Sequence, residues 1–179
     1  MDGGRLSVGG FTLVEVLVAL FVAALGIAGA CALQTLALRS QQEAARLADG
    51  VRLLSTLAER MRANPPAMAL PDGGNPYAQF DVDAGSGAPD AAASCFADGD
   101  CDAVQLAEFD LAEVAQALVE RFPGGRLCVC RDAGAATAWA CAAGPGAPLV
   151  AKLGWRESSD RRGDGGAPRL LLALPGGAP

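Results

Sequence analysis

The feature that most constrains this chain is an apolar run over residues 11–33 that carries a single carboxylate, Glu15, near its start. Residues 16–33 contain no charge, and a helix needs roughly 20 apolar residues to cross a bilayer. A charged side chain in hydrocarbon costs at least about 2.5–3.5 kcal/mol, so Glu15 requires a partner and a purpose. The preceding residues 1–10 are polar and Gly-rich.

Two general readings compete for this segment. A secretory signal has a basic start, an apolar core of about 7–15 residues and a small-residue cleavage site after that core. Here the run is longer and its start is acidic, although Ala28-Gly29-Ala30-Cys31-Ala32 does place small residues at the far end. A plain single-pass anchor fits the length but leaves Glu15 unexplained.

Gly10-Phe11-Thr12-Leu13-Val14-Glu15 followed by an apolar helix resembles the prepilin signal of type IV pilins and type II secretion pseudopilins. The resemblance implies that a prepilin peptidase cuts between Gly10 and Phe11 on the cytoplasmic side, N-methylates Phe11 and leaves the membrane segment in place. Glu15 is then the fifth residue of the mature chain, the family's assembly glutamate. A buried carboxylate needs a cation, and the freed amine of Phe11 in an adjacent subunit is one. Family leaders are often richer in Lys and Arg, whereas this leader has Arg5 opposed by Asp2. No basic cluster follows until Arg39 and Arg46, so the amino end is expected in the cytoplasm, with a single pass through the inner membrane and a periplasmic head.

After the membrane segment, about 140 residues remain for one soluble domain. The net charge of −6 argues against a nucleic-acid partner. Histidine is absent, which removes Ser-His and Cys-His catalysis and most mixed-ligand zinc sites. No catalytic residue, cofactor or small-molecule substrate is expected.

The helix continues past the membrane. Residues 34–64 contain no proline, and Leu47, Val51, Leu54, Ala58 and Met61 recur at three- and four-residue steps, an apolar stripe able to lie on a sheet. Asn64-Pro65-Pro66 ends the helix. Residues 67–103 read as loop, and 104–122 as a second helix with Leu106, Phe109, Val114, Leu118 and Phe122 near one face, stopped by Pro123-Gly124-Gly125. Short apolar bursts at 126–131, 137–142, 149–157 and 169–174 suit an antiparallel sheet of about four strands. The expected organisation is a cleaved leader (1–10), a transmembrane half-helix (11–33), an amphipathic half-helix (34–64) and an α+β head (65–179), the type IV pilin fold.

Of six cysteines, Cys31 lies in the apolar run and behaves as a small apolar residue. The other five fall in the part expected to be periplasmic, where disulfides persist. Cys95–Cys101 would staple a loop before the second helix, and Cys130–Cys141 would tie two adjacent strands across a turn at Ala135-Ala136. Cys128, on the same side two residues earlier, is the rival partner or the spare. Structural zinc is the alternative, but no paired C-x-x-C knuckles are present. Asp98, Asp100 and Asp102 have the D-x-D-x-D opening of a calcium loop. Ala103 stands where Gly is expected and Phe109 where the closing Glu belongs. The competing reading is an acidic turn in which Asp102 caps the second helix.

The helix ending Leu57-Ala58-Glu59-Arg60-Met61-Arg62-Ala63-Asn64-Pro65 is similar to that of the PilV family of minor pilins, the type IV pilus modification proteins. So are Phe109-Asp110-Leu111-Ala112-Glu113 after a Cys and Gly124-Gly125-Arg126 before Cys130-Arg131-Asp132. This resemblance implies a minor pilin that joins other minor and major pilins, initiates pilus assembly and ends up at or near the pilus tip. The alternatives are a minor pseudopilin of type II secretion and a membrane-anchored enzyme or binding module with a mimic of the signal.

Overall fold

The computed structural model describes residues 10, 12–89, 95–96, 100–134, 138–156 and 167–176. The chain divides into two compact units, residues 1–45 and 46–179. Helix α1 (Leu13–Ala63) begins in the first and ends in the second. Thr12 caps its start: the hydroxyl accepts from the Glu15 N–H at 3.3 Å, satisfying one of the donors that a helix N-terminus leaves open.

In the second unit, α1 ends at Ala63 and the next residue makes the corner. Asn64 is buried; its Oδ1 accepts from the Ala67 N–H, capping the short helix α2 (Pro65–Met68), while its Nδ2 donates to the Ala103 carbonyl at 2.7 Å. Helix α3 (Ala103–Arg121) starts at that carbonyl. Asp102 Oδ1 accepts from the Val104 and Gln105 N–H groups, and Gln105 Oε1 accepts from the Asp102 N–H, a complete capping box.

Among the described residues the sheet is antiparallel, with four strands in the order β1 (Asp81–Asp83), β2 (Arg126–Arg131), β3 (Leu149–Gly154) and β4 (Leu170–Ala173). Its two faces separate by strand alternation. Leu127 and Val129 of β2, with Leu149, Ala151 and Leu153 of β3, join the core formed with Leu53, Leu54, Leu57 and Met61 of α1 and Leu111, Val114 and Leu118 of α3. Cys128, Cys130, Val150 and Lys152 alternate onto the opposite, outer face.

The α+β pilin-type architecture expected from the sequence is the one observed, with three local corrections. Residues 67–103 are not plain loop: helical turns at Asp72–Gly74 and Pro76–Gln79 and strand β1 lie within them, and Tyr77 and Phe80 are buried in the core. No strand forms over 138–142, which instead cover the outer face of the sheet. The buried stripe of α1 is Gly50, Leu53, Leu54, Leu57, Ala58 and Met61, whereas Leu47 and Val51 are exposed. The stripe turns because Gly50 lets the sheet approach: a Cβ there would lie 2.6 Å from Leu170 Cδ1 and 3.3 Å from Trp155 Cζ3.

Candidate functional site

In the first unit the helix presents apolar side chains to its surroundings on every side. Leu13, Leu17, Phe21, Leu25, Leu33 and Leu36 are all exposed, and none of the 18-residue window most able to span a membrane is buried. A water-soluble helix hides such residues; one that does not is built for lipid or for other helices. Within this segment Thr35 turns its hydroxyl onto the Ala32 carbonyl at 2.8 Å, so its polar group is satisfied inside the helix.

Glu15 sits in the first turn, where the helix dipole favours a carboxylate. It is exposed, and among the described residues no ion pair engages it. Gly10 is exposed, and a Cβ there would meet nothing within 4 Å. The fold therefore makes no demand for glycine at position 10. Phe11 and the leader residues 1–9 lie outside the described residues.

Among the described residues, the head carries polar clusters that the sequence did not reveal, including two that are buried or partly buried. Arg60 of α1 donates to Asp110 at 2.7 Å and to Glu113, both on α3, and the Tyr77 hydroxyl donates to the other Asp110 oxygen at 2.7 Å. Burial, reinforced by that carboxylate, pushes the Tyr77 phenol well above its ordinary range. The signal for this cluster was an acidic residue between Ala107, Leu111 and Val114 on the apolar face of α3.

The second cluster covers the outer face of the sheet. Lys152 is fully buried, paired with Asp132, and donates to the carbonyls of Ala138 and Ala140, each at 2.9 Å. Asp132 Oδ1 accepts from the Gly134 and Ala142 N–H groups. Its carboxyl is pulled down to about 2 by the Lys152 ammonium and those amides. Trp139 closes the cover, with its ring edge on Gly154 and the Arg126 guanidinium 4.9 Å from its ring centre. A lysine inside the apolar run Leu149-Val150-Ala151-Lys152-Leu153 was the available signal.

Two disulfides tie the head. Cys95–Cys101 spans the approach to α3, and Cys130–Cys141 joins β2 to the covering loop, not to a neighbouring strand. In the sheet Cys130 opposes Val150. Cys31 is free and exposed; Cys128 is free and buried, its thiol pushed up by burial and by Asp81. Asp98 lies outside the described residues, and Asp102 spends its Oδ1 on the cap of α3.

Residues 32–112 match the family model described as Type IV pilin Tt1218, and residues 5–30 match that of the Prokaryotic N-terminal methylation motif. The chain has the type IV pilin fold. The methylation motif implies processing by a prepilin peptidase and pilin partners, and the apolar helix that follows it is long and apolar enough to anchor the chain in a membrane. No curated protein and no solved structure matches the chain. The type IV pilin match spans the end of the apolar segment, the amphipathic half of α1, the turns around Tyr77 and the first half of α3, so both ends of the Arg60–Asp110 contact fall inside it.

Proposed function

We propose that this chain is a minor type IV pilin of the PilV kind: a non-catalytic subunit that joins other minor pilins to initiate pilus assembly and takes a position at or near the pilus tip. The observation that carries the reading is the exposed apolar helix headed by the methylation motif, with the Glu15 carboxylate in its first turn.

In this reading residues 1–10 are the leader, 11–33 span the inner membrane with the amino end in the cytoplasm, 34–64 continue the helix into the periplasm and 65–179 form the head. Prepilin peptidase cuts between Gly10 and Phe11 and methylates the new amine. That amine, in a neighbouring subunit, is the cation that compensates Glu15 on assembly, because a carboxylate packed among apolar helices is otherwise strongly disfavoured. The similarity to PilV rests on the segments around Arg60 and Asp110, which meet in the head.

The test is a clean deletion with two readouts, surface pili with twitching motility and secretion of exoenzymes. Lost pili with normal secretion supports the minor-pilin reading. Normal pili with lost secretion assigns the chain to a type II secretion system as a pseudopilin. Mass spectrometry of the mature chain tests the signal, which requires an N-methylated Phe11 as the first residue.

A further inference from the structure

Three sulfurs converge on the outer face of the sheet, and only two of them are bonded. The Sγ atoms of Cys128, Cys130 and Cys141 all lie within 4.8 Å of one another. Cys130 and Cys141 form the disulfide, and Cys128 is a free thiol only 6% exposed. Cys128 and Cys130 are two apart on β2 and so point to the same face. A buried thiol held against a disulfide is the arrangement from which thiol–disulfide exchange proceeds, by attack of a thiolate on one of the bonded sulfurs.

We propose that Cys141 is a shared partner: the head exchanges its Cys130–Cys141 bond for a Cys128–Cys141 bond, giving two disulfide isomers of one oxidation state. Cys128 loses its proton to solvent, and its thiolate attacks Cys141 Sγ. The Cys128–Cys141 bond forms as the Cys130–Cys141 bond breaks, and Cys130 leaves as a thiolate and takes up a proton. One disulfide and one thiol stand on each side, so the step needs no oxidant or reductant. Attack at the other sulfur is disfavoured by geometry. Cys128 and Cys130 project in parallel from one strand about 6.6–6.8 Å apart, at the far limit of disulfide reach.

The exchange moves more than a bond. In the present isomer Cys141 is held at Cys130, which opposes Val150; in the other it is held at Cys128, which opposes Lys152. The loop carrying Cys141 also supplies the Ala138 and Ala140 carbonyls to Lys152 and lays Trp139 over Gly154. A step of two residues along β2 therefore slides this cover toward Arg126 and reorganises the outer face of the head. Burial and Asp81 of β1 oppose the Cys128 thiolate, while Arg126 of β2 and Lys152 of β3 favour it. The thiol remains above its ordinary range, so the exchange is slow near neutral pH and quickens as the pH rises.

The test uses the full-length protein in detergent, incubated with catalytic glutathione, quenched with acid, alkylated and mapped without reduction. Cys128 and Cys130 share the tryptic peptide Leu-Cys-Val-Cys-Arg, so fragment ions locate the alkyl group. The expected result is a label divided between Cys128 and Cys130, with Cys141 always bonded. In Cys130→Ser, Cys128 and Cys141 should pair, leaving Cys31 as the one alkylated thiol. A label confined to Cys128 in the unsubstituted protein overturns the proposal. So does a Cys130→Ser protein in which Cys31, Cys128 and Cys141 are all alkylated.

Discussion

Arg60, within the last turn of α1, donates to Asp110 at the middle of α3 across 2.7 Å, although 50 residues separate them in sequence. The same carboxylate accepts from the Tyr77 hydroxyl, so one acidic side chain joins the long helix, the second helix and the turn that precedes the sheet. Asn64 adds a parallel tie from the end of α1 to the first carbonyl of α3. The junction therefore fixes the end of α1 against α3 and the Tyr77 turn.

Asp110→Ala should destabilise the head by about 2–3 kcal/mol, the scale for hydrogen bonds to a charged group, because it strips partners from both Arg60 and Tyr77. Tyr77→Phe keeps the ion pair and should lose only about 1 kcal/mol. Urea unfolding of the full-length protein in detergent, followed by circular dichroism, measures both. Equal losses in the two variants would mean that the Arg60 contact contributes nothing.

Gly50 makes a second, steric prediction. Gly50→Ala gains up to about 1 kcal/mol of helix propensity, but its methyl meets Leu170, Leu153 and Trp155. Gly50→Leu cannot be accommodated without moving the sheet, and overpacking of this kind costs about 1–3 kcal/mol. Thermal melts of the two variants should show Gly50→Leu clearly below the parent and Gly50→Ala close to it. A Gly50→Leu protein as stable as the parent would show that helix and sheet are not in close contact there.

What the sequence made legible were features with a local cause. The apolar run predicts its own helix, Asp102 predicts the cap of α3, and the short apolar burst after Pro123-Gly124-Gly125 identifies β2. Elements made by tertiary pairing were not legible. Strand β1 is Asp-Val-Asp, with no apolar rhythm, and exists because it pairs with β2 and because Arg126 grips Asp81 through two hydrogen bonds. The apolar segment around Trp139 looked like a strand, yet its backbone carbonyls serve Lys152 instead of a ladder. The stripe on α1 was displaced because a glycine, which counts for nothing in a hydrophobic pattern, marks the point of closest approach.

In the proposed assembly, Glu15→Ala separates incorporation from anchoring. Removing the charge makes the segment more apolar, so membrane insertion and cleavage at Gly10 should persist. Incorporation into pili should fall at least about tenfold, the equivalent of losing 1.4 kcal/mol of subunit affinity. Gly10→Ala should instead block the proposed peptidase cut without disturbing the fold, which leaves open space for that methyl. Immunoblots of membrane and sheared-pilus fractions distinguish the two. Normal incorporation of the Glu15→Ala protein would remove Glu15 from the assembly mechanism.

The Lys152–Asp132 pair predicts a pH dependence of defined sign. The Asp132 carboxyl titrates at about 2 in the folded head, against 3.8 ordinarily, because the Lys152 ammonium and the Ala142 and Gly134 amides hold its charged form. A depressed folded value means that the stabilisation is complete above about 3.8 and is lost as the pH falls through about 2. Asp132→Asn leaves the buried ammonium without its carboxylate, facing neutral groups that include the Ala138 and Ala140 carbonyls, so near neutral pH its melting temperature should lie several degrees below the parent. Between pH about 4 and about 2 the parent loses its advantage and the two curves should converge. Asp72, whose carboxyl Arg131 also holds below its ordinary range, is present in both proteins and cancels from the difference. Calorimetric melts of both proteins across this range provide the measurement; a gap that stays constant down to pH about 2 would show that the pair contributes through packing and not through charge.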